Sequence, residues 1–158
     1  MSPLFSLSAD EQQNFFVTRV PHNEVLGFRL SRCSTSGLSF DMPYAAALVG
    51  NPATGEMHQG ALTALLDATA GSSVLIEHDV VHRSATLDLR VDFLRPSRAG
   101  QDIRCDARCL SLSDHVATVR AVAYERDGSA EDPIAVATGS FALFAQAPKA
   151  AADAGASA

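Results

Sequence analysis

Met57-His-Gln-Gly-Ala-Leu-Thr-Ala-Leu-Leu-Asp-Ala-Thr-Ala-Gly71 is rich in alanine and leucine and predicts a helix running to about Ile76. Its apolar positions surround the helix axis instead of forming one stripe, so nearly every side must be buried. Downstream the period changes to two. Leu87, Leu89, Val91 and Phe93 alternate with Asp88, Arg90 and Asp92, as in a half-buried strand. Further strands are expected at 102–110, 116–124 and 134–144, with a turn at 95–100 and a last hairpin loop at 126–133. Upstream, two strand-like runs at 27–33 and 38–42 flank the polar turn Ser34-Thr-Ser-Gly37. The segment Gly50-Asn-Pro-Ala-Thr-Gly55 is dense in turn residues and reads as irregular. The fold class is therefore α+β, an antiparallel sheet wrapped round one long central helix. One curved sheet covers only part of such a helix, and a second copy of the chain is the natural cover for the rest.

The ends of the chain are simpler. Ser8-Ala-Asp-Glu11 is a capping box that opens a short helix through Phe15, Phe16 and Val20, stopped by Pro21. This divides the chain into a helical segment at 1–22, the sheet-and-helix domain at 23–145, and an alanine-rich tail at 146–158 expected to be disordered. At 158 residues the length fits one folded domain, and no internal repeat is visible. The net charge of −6 argues against a nucleic-acid partner, which needs clustered cations. Cationic charge is nearly all arginine, Lys149 being the only lysine. Cys33, Cys105 and Cys109 form no CxxC or zinc spacing; the last two lie four apart on one strand face, which suits packed thiols over a disulfide. No basic and apolar leader opens the chain and no apolar run reaches about 20 residues, so a cytoplasmic, reduced protein off the membrane is expected.

Asp67 is the only charged residue between His58 and Glu77. Burying an unpaired carboxylate is costly, so it must find hydrogen-bond partners or hold a proton more tightly. Gly60, Thr63, Asp67 and Gly71 share one side of the helix. That seam suits an exposed strip, yet its glycines also suit close approach of a ligand or another chain. His58-Gln59-Gly60 stands at the helix start, where backbone N–H groups lack partners and favour developing negative charge. A histidine there more commonly caps or packs than acts as a base. Asn51 lies in the preceding turn, where asparagine is ordinary. Arg95 and Arg98 flank Pro96 in a turn, either solvated or facing phosphate. Ser72 and Ser73 lack a GxSxG context, and glycine-rich phosphate loops are absent.

At these residues the sequence resembles the hotdog-fold thioesterases of the phenylacetate-degradation type, within the 4-hydroxybenzoyl-CoA thioesterase superfamily. The family pattern is an Asn and Gly in a loop, then His-Gly-Gly, a small-residue helix and an Asp nine residues after the His. Asn51, Gly55, His58-Gln59-Gly60 and Asp67 follow it, with Thr86-Leu-Asp-Leu-Arg-Val-Asp-Phe-Leu-Arg-Pro96 as the matching downstream strand. The resemblance spans about Val20 to Phe144. It implies a thioester carbonyl bound by the Gln59 N–H, with the Asp67 carboxylate arriving across a dimer interface. Asn51 and Thr86 match assisting positions, as do His58 and Gly60 of the motif. The nucleotide end of CoA would lie near Phe93, Arg95, Pro96 and Arg98, and near Ser111, Ser113 and Val116. Gln59 departs from the motif glycine, and Asn51 stands seven residues before His58 where several members have six. Strand parity sets Thr86 with Asp88 and Arg90, away from the helix, unless a bulge turns it inward.

The implied activity is hydrolysis of an acyl-CoA thioester, with Asp67 as general base or nucleophile and no metal or redox cofactor. A homodimer, paired as a dimer of dimers, would carry it. Two other readings remain: a non-catalytic acyl-CoA-binding hotdog protein, and a hotdog enoyl-CoA hydratase, for which Asn51-Pro52 with His58 is a poor motif. The acyl group itself is not legible.

Overall fold

The computed structural model describes residues 3–77 and 81–145, so the tail expected to be disordered lies outside the described residues. Near the start, the Ser8 Oγ accepts from the Glu11 N–H at 3.3 Å, and the Glu11 carboxylate accepts from the Ser8 N–H at 2.8 Å. This capping box opens helix α1 (Ala9–Gln13) as the sequence predicts. The single helix expected up to Pro21 is not formed. A wider π-type turn takes over at Asn14–Thr18, and Pro21 then opens a second helix, α2 (Pro21–Val25). Proline fits there because the first helical N–H needs no partner, so Pro21 starts a helix as much as it ends one.

Six strands form one antiparallel sheet: β1 (Arg29–Ser34), β2 (Gly37–Met42), β5 (Val81–Phe93), β6 (Ile103–Leu112), β7 (Val116–Glu125) and β8 (Ala135–Ala145). Their spatial order is β1-β2-β6-β7-β8-β5, which among the described residues leaves β5 with a neighbour on one side only. Helix α3 (Gln59–Glu77) packs on this sheet, against β2, β5, β6, β7 and β8. The sheet wrapped round one long helix is the hotdog arrangement that the resemblance implies. Facing the helix, β7 presents Ala117, Val119, Ala121 and Ala123, all buried, and these small residues let the helix sit close. From α3, Leu62, Leu65 and Leu66 are fully buried, each contributing roughly 1.5–3 kcal/mol by burial. Phe16 and Val17 of the N-terminal segment join the same core. At Gly37, φ is +134° and a Cβ would stand 2.3 Å from the Ala107 carbonyl oxygen, so only glycine fits the β1–β2 turn.

Three expectations need correction. The 50–55 segment is not irregular throughout, because β3 (Val49–Asn51) and β4 (Glu56–Met57) pair there as a small hairpin. Leu87 does not face the core: it is 59% exposed. Thr86 pairs with Phe141 but Asp88 with Ser140, so Leu87 is an extra residue in a bulge. The 95–100 turn is not merely solvated either. Arg95 grips Glu125 at 2.6 and 2.8 Å and Asp132 at 3.0 Å, and the Ser97 hydroxyl accepts from the Met57 N–H at 2.9 Å.

The three cysteines are free, Cys105 and Cys109 as their spacing predicts, and burial pushes the Cys105 thiol up to about 12. Among the described residues, no helix is long and apolar enough to cross a membrane.

Glu125 gives a stability prediction. Its side chain is 4% exposed and the Arg95 guanidinium holds its carboxyl down at about 2, against an ordinary 4.5. Glu125→Gln leaves Arg95 half-paired, and stability should fall by about 2–3 kcal/mol, or roughly 5–10 °C in Tm. A carboxyl held below its usual range stabilises fully above about 4.5 and loses that contribution as pH falls toward about 2. The Tm gap between wild type and variant, followed by circular dichroism, should therefore close across that window.

Candidate active site

The start of α3 is built around His58. Its N–H donates to the Leu48 carbonyl at 2.8 Å, and its own carbonyl receives the N–H groups of Ala61 and Leu62. His58 is thus the N-cap and Gln59 the first helical residue. The ring folds back so that Nδ1 accepts from the Gly60 N–H at 2.9 Å. A Cβ on Gly60 would lie 2.9 Å from that nitrogen, and one on Gly50 would lie 2.8 Å from the His58 Cα. Both glycines are therefore fixed by the packing of His58, whose role here is the capping one. With the Gly60 N–H spent on His58, the Gln59 N–H remains, and among the described residues no acceptor reaches it. It stands at the positive end of a buried helix.

Gln59 lines a cleft of about 400 Å³ together with Phe93, Arg95 and Pro96. Arg95 is committed to Glu125 and Asp132, whereas the neighbouring Arg98 is 70% exposed in its side chain and pairs with Asp132 only at 3.9 Å. Asn51 uses its Oδ1 to accept from the Ala53 N–H at 3.1 Å, and its carbonyl accepts from Gly55 at 2.8 Å. It is an Asx turn that shapes the hairpin leading into α3.

Asp67 lies two turns further along α3 and lines a different cavity, of about 580 Å³. The carboxylate is half-buried, and the Thr86 hydroxyl donates to its Oδ1 at 2.8 Å. Thr86 therefore faces the helix, against plain strand parity. The bulge at Leu87 reverses the alternation, so that Ser84 and Thr86 point toward α3 on one side of it while Leu89 and Val91 face inward on the other. Among the described residues no donor reaches the second oxygen, leaving it for a water molecule or a substrate.

Gln59 and Asp67 do not meet in one chain. Eight residues of helix separate them by about 12 Å along the axis, too far for one carbonyl group to touch both. The sheet divides the other site residues in the same way. Val116, next to Ser113 in the β6–β7 hairpin, lies opposite Ala142, which lies opposite Ala85 beside Thr86. Phe93 is paired at the far end, with Ala135. Ser111, Ser113 and Val116 thus lie at the Asp67 end, whereas Phe93, Pro96 and Arg98 lie at the Gln59 end, roughly 25 Å away along the strands. Sequence reasoning missed a third group, Phe15, Arg19 and His22, which form a wall of the Asp67 cavity. Nothing in an aromatic pair beside a capping box distinguishes a cavity wall from plain core.

Comparison with known proteins places the chain among thioesterases. The family described as the thioesterase superfamily matches residues 54–131, which include Gln59 and Asp67. YigI of Salmonella typhimurium, a medium/long-chain acyl-CoA thioesterase, is 30% identical over 125 residues, covering 71% of this chain and 80% of that protein. A Pseudomonas aeruginosa protein of solved crystal structure is 32% identical with a TM-score of 0.75, over 85% of this chain and 98% of its own. The E. coli PaaI protein from the phenylacetic acid degradation operon shares the fold at a TM-score of 0.70 and 16% identity, over 80% of this chain and 86% of its own.

Proposed function

We propose that this chain, which belongs to the thioesterase superfamily and is a hydrolase acting on thioester bonds, cleaves acyl-CoA thioesters at a site built by two copies. The observation that carries the reading is Asp67, the carboxylate in the middle of a buried helix, opening into a cavity with one oxygen held by Thr86.

The unpaired edge of β5 supplies the geometry. Along its thirteen residues β5 pairs with β8 on one side, and the backbone groups that point to the other side, with exposed Leu87 and Phe93 beside them, invite a second strand. If β5 pairs antiparallel with its own copy about a two-fold axis between Leu89 and Arg90, Thr86 of one chain meets Phe93 of the other. Asp67 then approaches the partner's Gln59, and the 111–116 hairpin approaches the partner's Arg98. Both half-sites become whole in one step. Two such dimers pairing as a tetramer is the assembly the family resemblance supports.

Within that site the Gln59 N–H takes the thioester carbonyl oxygen. Asp67 accepts a proton from water as the water oxygen attacks the carbonyl carbon. The carbonyl electrons move onto oxygen, toward the N–H, and return as the C–S bond breaks. CoA leaves as thiolate and takes up a proton, and the acid remains. In the other route, Asp67 itself attacks, expels CoA thiolate and forms a mixed anhydride that water then opens. Both routes require the free carboxylate oxygen, and neither uses a metal.

Release of free CoA from a panel of aromatic, medium-chain and long-chain acyl-CoAs tests the reading. Tight binding with no release on any member would leave only a non-catalytic acyl-CoA binder. Thr86→Val removes the donor to Asp67 without changing side-chain shape. Its kcat should fall about tenfold, roughly 1.4 kcal/mol, with KM little altered, since the carboxylate stays but loses its orientation. Steady-state thiol release gives both constants.

A further inference from the structure

We infer that the N-terminal segment roofs the acyl pocket, and that Phe15 on one wall and Ala68 on the other set the length of chain admitted; this rests on the thioesterase reading above. The cavity holding Asp67 and Thr86 has about 580 Å³, ample for an apolar chain. Arg19, His22 and Arg83 border it as well as Asp67 and Thr86, and between these polar groups Phe15, Val20, Ala64, Ala68, Leu75 and Phe141 supply a continuous apolar part of the wall.

Two features of the sequence create the space. On α3, Ala64, Ala68, Gly71 and Ser72 recur at i, i+4, i+7 and i+8, so beside Asp67, and before Leu75 closes the far end, this helix face carries small side chains. Opposite them, the N-terminal segment does not continue as an α-helix. Its π-type turn, closed by the Arg19 N–H on the Asn14 carbonyl at 3.0 Å, lets two consecutive phenylalanines both face inward. Phe16 enters the core, 2% exposed, while Phe15 packs edge-on against it at 5.0 Å and 88° and borders the cavity. Phe15 is thereby a fixed wall, held by a neighbour that cannot move without opening the core. An acyl group with its carbonyl at Asp67 extends between this wall and the small-residue face of α3.

The test is the ratio of kcat/KM for dodecanoyl-CoA over butyryl-CoA, measured on the assembled full chain. Ala68→Leu fills the cavity, and the ratio should fall on the order of tenfold or more, since each methylene that no longer fits costs at least that much. Phe15→Ala opens the wall, and the ratio should rise. Should Ala68→Leu fail to fold, Phe15→Ala alone decides. A wild type that cleaves both substrates, with variants whose ratio is unchanged, overturns the inference and leaves the thioesterase reading standing. A wild type that cleaves no acyl-CoA removes both.

Discussion

Asp67→Asn lowers acyl-CoA turnover by about 10²–10⁴-fold while folding and assembly survive. The amide matches the carboxylate in size, and its oxygen still accepts from the Thr86 hydroxyl that now bonds Oδ1 at 2.8 Å. The helix face therefore keeps its packing. What disappears is the basic oxygen, which must either take the proton of water or attack the carbonyl. Both routes fail together, so the size of the loss does not depend on which one operates. Thiol release at saturating substrate, beside circular dichroism and sedimentation of the same sample, separates loss of chemistry from loss of fold. Turnover close to wild type would remove Asp67 from the mechanism.

The second large effect concerns a backbone atom. Gln59→Pro removes the N–H and nothing else that the helix needs, because proline is favoured at the first helical position. His58 caps α3 by accepting the N–H of Leu62 on its carbonyl, and that bond is untouched. If this N–H holds the developing oxyanion, kcat should fall by about 10²–10³-fold, roughly 2.7–4 kcal/mol. Gln59→Gly keeps the N–H and loses the side chain, so it should change turnover less than about tenfold. The two substitutions together separate backbone from side chain at one position. Equal and large losses in both would assign the chemistry to the side-chain amide.

The central helix was legible because its signal is compositional: small and apolar residues all round an axis permit little except burial. The carboxylate at Asp67 was legible for the same reason, as a charge where charge is expensive. Thr86 was not, because parity counts residues and a bulge inserts one; Leu87 carries no mark of being the extra residue. The ion pairs of Arg95 were not legible because its partners Glu125 and Asp132 stand 30 and 37 residues away and only the fold unites them. Pro21 was read as a stop because proline ends a helix and begins one with the same ring. The cavity wall at Phe15 depends on a π-type turn, whose fifth residue no periodicity announces. In each case the missing information is a backbone irregularity or a distant partner, and the site collects several of both.

The claim on which the rest stands is that each site takes its carboxylate from one chain and its N–H from another. Mixing unfolded Asp67→Asn and Gln59→Pro chains in equal amounts and refolding them tests it directly. Each variant alone is nearly inactive. In a mixed dimer one site holds both lesions, and the other combines an intact Asp67 with an intact Gln59 N–H. Half the dimers are mixed and half their sites are whole, so activity should recover to about a quarter of wild type. Activity that stays at the sum of the two variants would contradict the shared site.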